Sequence, residues 1–119
     1  LAALGAREPN VRQQAIETLL QVFQESDADL SLRTELVYAL GRLGPEPSVV
    51  ETLAHALQDR ELFIRRAAAS TLAQFGVSAR SALPALRTAL NDADPEVKAT
   101  AQRAIEQMTM GDSSVSEGR

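Results

Sequence analysis

The segment DRELFIRRAAASTLAQFG, beginning at Asp59, is followed in register by DADPEVKATAQRAIEQM, beginning at Asp92. The leading aspartates are 33 residues apart, and each is followed six places later by a basic residue, Arg65 or Lys98. A third echo begins at Asp27, six residues before Arg33. An internal period of this length, holding two helical patterns, is the mark of an α-solenoid, in which each unit buries its apolar face against its neighbours. With 3% aromatics and many alanines and leucines, the chain suits closely approaching helices with small side chains at the contacts. At 119 residues it is sized for one domain. The expected architecture is all-α, with about six helices in three antiparallel pairs over residues 1–110.

The elements follow from apolar spacing and stop signals. PNVRQQAIETLLQVFQ places Val11, Ala15, Ile16, Leu19, Leu20 and Phe23 at helical spacing, with Pro9 acceptable in a first turn, so a helix is expected from about 9 to 24. The opening LAALGAREPNV can be laid on RTALNDADPEV, so the chain is expected to begin at the end of an earlier helix, as a piece of a longer array. LSLRTELVYALGRLG gives a helix over 30–43, with Leu32, Leu36, Leu40 and Leu43 toward the core and Gly44-Pro45 as the stop. Arg12 and Arg33 are only 21 residues apart, too short for a full pair between them. A short loop makes neighbouring helices antiparallel, so 9–24 is placed as the first helix of a pair and 30–43 as the second. The next helices are expected at 47–58, 60–75, 79–91 and 95–109. Pro84 either kinks the 79–91 helix or moves its start to about Leu83. Gly111 is read as the last stop, and GDSSVSEGR as a disordered tail over 111–119.

The run Asp59, Ile64, Arg65, Ala68, Leu72, Phe75, Gly76 and its echo Asp27, Leu32, Arg33, Leu36, Leu40, Leu43, Gly44 resemble the HEAT-repeat family. Within that family they are similar to the short bacterial type first noted in phycobilisome lyases. The third copy matches at Asp92, Val97, Lys98, Ala101 and Ile105 and departs at Met108 and Thr109. The resemblance covers roughly 27–109. It implies a curved right-handed stack with second helices on the inner face, serving binding and assembly rather than catalysis. In the family's pattern, a turn aspartate and a second-helix basic residue form a ladder between units, which assigns Asp27, Arg33, Asp59, Arg65, Asp92 and Lys98 to it. Independently, Asp29, Glu61 and Asp94 stand just ahead of the second helices, where a carboxylate accepts first-turn amides and meets the positive helix end.

No residue set calls for catalysis, a metal or a cofactor. Cysteine is absent, which excludes disulfides and thiolate chemistry, and the single histidine, His55, has no HExxH context. DADPE lacks the glycine and terminal glutamate of a calcium loop, and GRLGPEP lacks the Lys-Ser/Thr of a phosphate loop. No apolar run approaches a membrane span and no signal peptide opens the chain, so a soluble protein is expected, with the cytoplasm as its compartment.

What remains is surface. With the leucines inward, Thr34, Glu35, Tyr38 and Arg42 face outward on the second helix. Their counterparts are Arg66, Ala67, Ser70 and Gln74, then Ala99, Thr100, Arg103 and Gln107. Tyr38, Arg42, Arg66 and Arg103 are thus candidate partner-binding residues on one face, of types enriched at interface hot spots. The expected function is a non-catalytic protein-interaction or scaffolding module. The alternatives are an accessory subunit resembling bilin lyases and a nucleic-acid-binding module, the latter opposed by the net charge of −4. Self-association through the N-terminal end is a further expectation, since solenoid ends normally need a polar cap.

Overall fold

The computed structural model describes the backbone over 2–25 and 29–117, and side chains over 11–25 and 29–109. The elements are α1 (Ala2–Glu25), α2 (Leu30–Leu43), α3 (Pro47–Ala56), α4 (Leu62–Phe75), a 3₁₀ segment (Gly76–Ala82), α5 (Leu83–Ala89) and α6 (Pro95–Glu117). No strand occurs among the described residues. Each odd-numbered helix packs on the even-numbered helix that follows it, and α2, α4 and α6 pack on one another in a second layer. The fold is the expected all-α stack of three helix pairs.

The bounds differ from the sequence reading at both ends. α1 is one helix through Pro9, where a new start was expected. An interior proline removes one hydrogen bond without by itself ending a helix, and the preceding alanines and leucines are strong helix formers. α6 continues past Gly111, the expected stop ahead of a disordered 111–119, to Glu117. A glycine costs a helix about 1 kcal/mol relative to alanine, which lowers helicity without forbidding it. At Pro84 the second of the two expected arrangements holds: α5 begins at Leu83 with the proline in its first turn, and the 3₁₀ segment carries the chain there from Gly76.

Contacts between consecutive even-numbered helices are much denser than those among α1, α3 and α5, which makes the even layer the shorter side of the stack. Small residues produce that approach. Ala67, Ala68, Ala69, Ala101 and Ala104 have no exposed surface. Gly41 lies so close to Thr71 that a Cβ there would stand 2.7 Å from the threonine methyl. Gly41 is thus a contact between α2 and α4 rather than part of a helix stop. The stop is Gly44, whose φ of 110° is a left-handed value that side chains rarely adopt.

Aligning α2, α4 and α6 gives the fold an internal control. Ile64 and Val97 are fully buried, whereas their counterpart Leu32 is 43% exposed. Leu32 is therefore not the core residue expected of it, and Val37, fully buried, packs in the core of α2 instead. Glu35 stands exposed where Ala67 and Thr100 are buried, so the latter two do not face outward as the sequence reading had them. At the other edge, Gln102 and Glu106 are exposed and joined side chain to side chain, in the places where Val37 and Gly41, then Ala69 and Ala73, receive the next helix.

The Gly41 contact yields a stability test. Gly41→Ala gains helix propensity of about 1 kcal/mol but forces a methyl against Thr71, and overpacking of this kind costs about 1–3 kcal/mol. Thr71 cannot simply turn, since its hydroxyl donates to the Ala67 carbonyl at 2.8 Å. Gly41→Ala is expected to lower the urea midpoint, and adding Thr71→Ser, which removes the opposed methyl, is expected to restore it. Equal effects of Gly41→Ala in both backgrounds would show that the contact is not tight.

Candidate functional site

The turns ahead of α4 and α6 hold most of the charged groups that the sequence singles out. Asp59 accepts the Glu61 N–H at 2.9 Å, and Asp92 accepts the Asp94 N–H at 2.8 Å, so each aspartate shapes its own turn. Each also receives an arginine from the preceding even helix. Arg33 reaches Asp59 at 2.7 Å, and Arg65 grips Asp92 through Nε at 2.8 Å and Nη2 at 3.3 Å. The free Nη1 of Arg65 donates back to the carbonyls of Asp59 and Arg60, joining two consecutive turns. The guanidinium of Arg33 lies 4.8 Å from the centre of the Phe23 ring, which ties α1 to the same rung. Burial raises the Asp59 pKa, but the Arg33 hydrogen bond, the Glu61 N–H and the charges of Arg33 and Arg60 outweigh it, leaving a net lowering.

Arg66 has a different place from the one its position in the sequence suggests. It grips Asp94 with Nη2 at 2.8 Å and Nε at 3.0 Å, approaches Glu96 at 3.6 Å, and lies over the Phe63 ring. It is therefore a second rung at the α4–α6 junction and not a free cation on the surface. Arg66 sits where α2 has Thr34, so only α4 presents a guanidinium at this position, and the short carboxylate of Asp94 in the α6 turn meets it. Asp94 also caps α6 by accepting the Val97 N–H at 3.0 Å. The Arg66 hydrogen bond, helped by the Val97 N–H and against the effect of burial, lowers the Asp94 pKa to about 2, and Asp94 in turn raises that of Arg66.

The three expected caps are not equivalent. Asp29 accepts the N–H groups of Ser31 and Leu32 at 2.9 and 3.3 Å, and Asp94 behaves similarly, but Glu61 makes no side-chain cap. Glutamate's extra methylene is poorly suited to the short return to the first-turn amides, and Asp59 serves that turn from two residues earlier. Asp27 lies outside the described residues. Lys98 is exposed and makes no ion pair among the described residues. Arg12, which carries no role in the sequence reading, pairs with Glu46 at 2.5 Å and donates to the Leu43 carbonyl, placing a cation at the C-terminal end of α2.

On the outward side of the even layer, Tyr38 is 41% exposed, and Arg42 and Arg103 are exposed without an ion pair among the described residues. The sequence reading missed Phe63, which is 55% exposed one helix over. The signal was available, since Phe63 lies seven residues before Ser70, the counterpart of Tyr38, and so shares its face. Shallow clefts occur among the described residues, one of them about 510 Å³ and lined by Phe23, Arg33, His55 and Asp59 among others. His55 is exposed on its edge, and among the described residues no group of three or more acidic or imidazole side chains converges as a metal site would require.

A family model described as HEAT repeats matches residues 16–106. The chain belongs to the HEAT-repeat family. The match is to HEAT repeats as a class and does not single out the phycobilisome-lyase type. No curated protein matches the chain. HEAT repeats generally mediate protein–protein interaction or scaffolding. No described helix is long and apolar enough to cross a membrane.

Two measurements follow from the ladder. Asp59→Ala removes a partly buried charge-assisted pair and a turn hydrogen bond together, and is expected to destabilise by about 1–3 kcal/mol in chemical denaturation. An unchanged midpoint would mean that the rung contributes nothing. The second concerns pH. Asp94 ionises lower in the folded chain, at about 2, than its ordinary value of 3.8. Its contribution is therefore complete above that ordinary value and lost as pH falls toward the folded one. Asp94→Asn is expected to flatten this acid limb of the stability curve, read as melting temperature against pH, and an unchanged slope would place the acid sensitivity elsewhere.

Proposed function

We propose that this HEAT-repeat stack is a non-catalytic binding module that holds a protein partner on the outward face of α2, α4 and α6. The observation that carries the reading is the company kept by Tyr38: Arg42 one turn on in the same helix and Arg103 at the matching position of α6, both exposed and both without ion pairs among the described residues. An exposed tyrosine supplies contact area and a directional hydroxyl, and unpaired arginines steer an acidic surface toward it. Arg66, engaged by Asp94, contributes rigidity to that face rather than charge.

Nucleic-acid binding through Arg42, Arg66 and Arg103 loses support, since the central one of the three, Arg66, is neutralised by Asp94. Self-association would use the N-terminal edge, where Leu32 and Val11 are exposed. Glu35 opposes close approach of another helix there, and sedimentation at rising concentration reads the balance between the two.

Tyr38→Ala combined with Arg103→Glu is expected to abolish capture of the natural partner while leaving helicity and melting temperature nearly unchanged, because both side chains are exposed. Arg66→Glu, by contrast, is expected to lower the melting temperature, since it sets a carboxylate against Asp94 and Glu96. Retention of the partner by the Tyr38/Arg103 variant, with loss on His55→Ala, would move the binding face to the odd-numbered helices.

A further inference from the structure

Only four aromatic residues occur in the chain, and they divide cleanly. Phe23 is buried and Phe75 half-buried, whereas Tyr38 and Phe63 are exposed on the same outward face. Phe63 is held rather than loose: Arg66 lies 5.6 Å from its ring centre and is itself fixed by two hydrogen bonds to Asp94. An aromatic side chain kept at the surface by a pinned guanidinium loses little conformational freedom on binding, which is the economy expected of a hot-spot anchor.

The spacing of the two rings follows from the packing. The Gly41–Thr71 contact fixes the register of α2 against α4 and brings Tyr38 level with Ala68, five residues beyond Phe63. Those five residues span about 7.5 Å along the helix, and adjacent axes lie about 8–10 Å apart, so the rings stand about 12 Å apart on a diagonal. Twelve ångströms is about the distance between residues seven or eight apart on one face of an α-helix. The charges along that diagonal differ in sign at its two ends. Arg42 stands beyond Tyr38, while Glu96, 62% exposed on its side chain, stands beyond Phe63. Glu35 flanks Tyr38 on the outer edge of α2 and limits how far acidic groups can extend in that direction.

We infer that the face takes an amphipathic helix of a partner protein, laid diagonally across α2 and α4, with two apolar side chains seven or eight residues apart on Tyr38 and Phe63 and an acidic residue beyond the first to meet Arg42. This rests on the binding face proposed above and adds the form of the partner. An apolar face of an incoming helix read at such intervals is a recurring mode of peptide recognition.

A displayed library of four-turn helical peptides, selected against the whole chain, tests the inference. Enriched sequences should carry two apolar residues seven or eight apart with an acidic flank. A selected peptide, followed by fluorescence polarisation, should lose about tenfold or more in affinity to Phe63→Ala and to Tyr38→Ala, as expected of anchor residues, while Val77→Ala, an exposed site on the 3₁₀ segment, leaves it unchanged. Circular dichroism of each variant establishes that its helices are intact. Enrichment without that spacing, or equal binding to Phe63→Ala, overturns the helical partner. If Tyr38→Ala and Arg103→Glu weaken binding but Phe63→Ala does not, the face stands and the helix falls. If none of the three weakens it, both readings fall.

Discussion

Everything in this stack depends on how closely α2, α4 and α6 approach one another. The approach is set by the absence of side-chain bulk: a glycine opposite a threonine, and alanines where an ordinary helix interface would place leucine. Close helices exchange many weak dispersion contacts, which individually are small and collectively large. They also bring successive turns near enough for an arginine on one unit to reach an aspartate on the next. A wider spacing, with leucine at Ala67 or Ala104, would part those charges and leave half-buried carboxylates without partners, so the small residues and the ladder require each other.

The ladder explains a feature that packing alone leaves open, the direction of the stack. Alanine-rich surfaces specify register poorly, because one alanine is much like its neighbour. Arg33 on Asp59 and Arg65 on Asp92 remove that freedom, since a slip by one turn would move the guanidinium about 5.4 Å from its carboxylate. The same aspartates bind their own turn amides, so the loop conformation and the spacing between units are fixed by the same oxygens. At the α4–α6 junction Arg66 and Asp94 add a further rung, and there the contact within the even layer is most extensive.

Much of this was legible in the sequence, and what was missed has physical causes. The period showed the helix pairs because identical turns recur at a fixed interval, and the bounds of α2 can be read to the residue because Asp29 and Gly44 punctuate it. Burial was harder to read, since Leu32 matches Ile64 and Val97 in type but has no preceding even helix to cover it among the described residues. Sequence pattern gives the face of a residue, and only assembly gives its neighbour. Arg66 misled for a related reason: its outward position is correct, but its partner lies 28 residues away in the next turn. Phe63 was overlooked because its alignment partners, Ser31 and Glu96, are polar, and a lone aromatic in a polar column carries no periodic signal.

A repeat that uses small residues to hold itself together has little choice about where to display large ones. Positions facing a neighbouring even helix must remain small or be fully buried, and the turn positions are occupied by the ladder. Arg66 apart, the outward column of each even helix is the set that neither constraint touches, and there the three copies diverge most, with Ser31, Thr34, Tyr38 and Arg42 against Phe63, Arg66, Ser70 and Gln74 and then Glu96, Ala99, Arg103 and Gln107. If that column served only to meet solvent, small polar residues would suffice and two of the four aromatics would not be spent there. Their presence on adjacent helices of one face, with one ring held by an arginine that is already committed to the ladder, makes the structural network and the binding surface a single mechanical unit: what fixes the spacing of the repeats also fixes the spacing of the anchors.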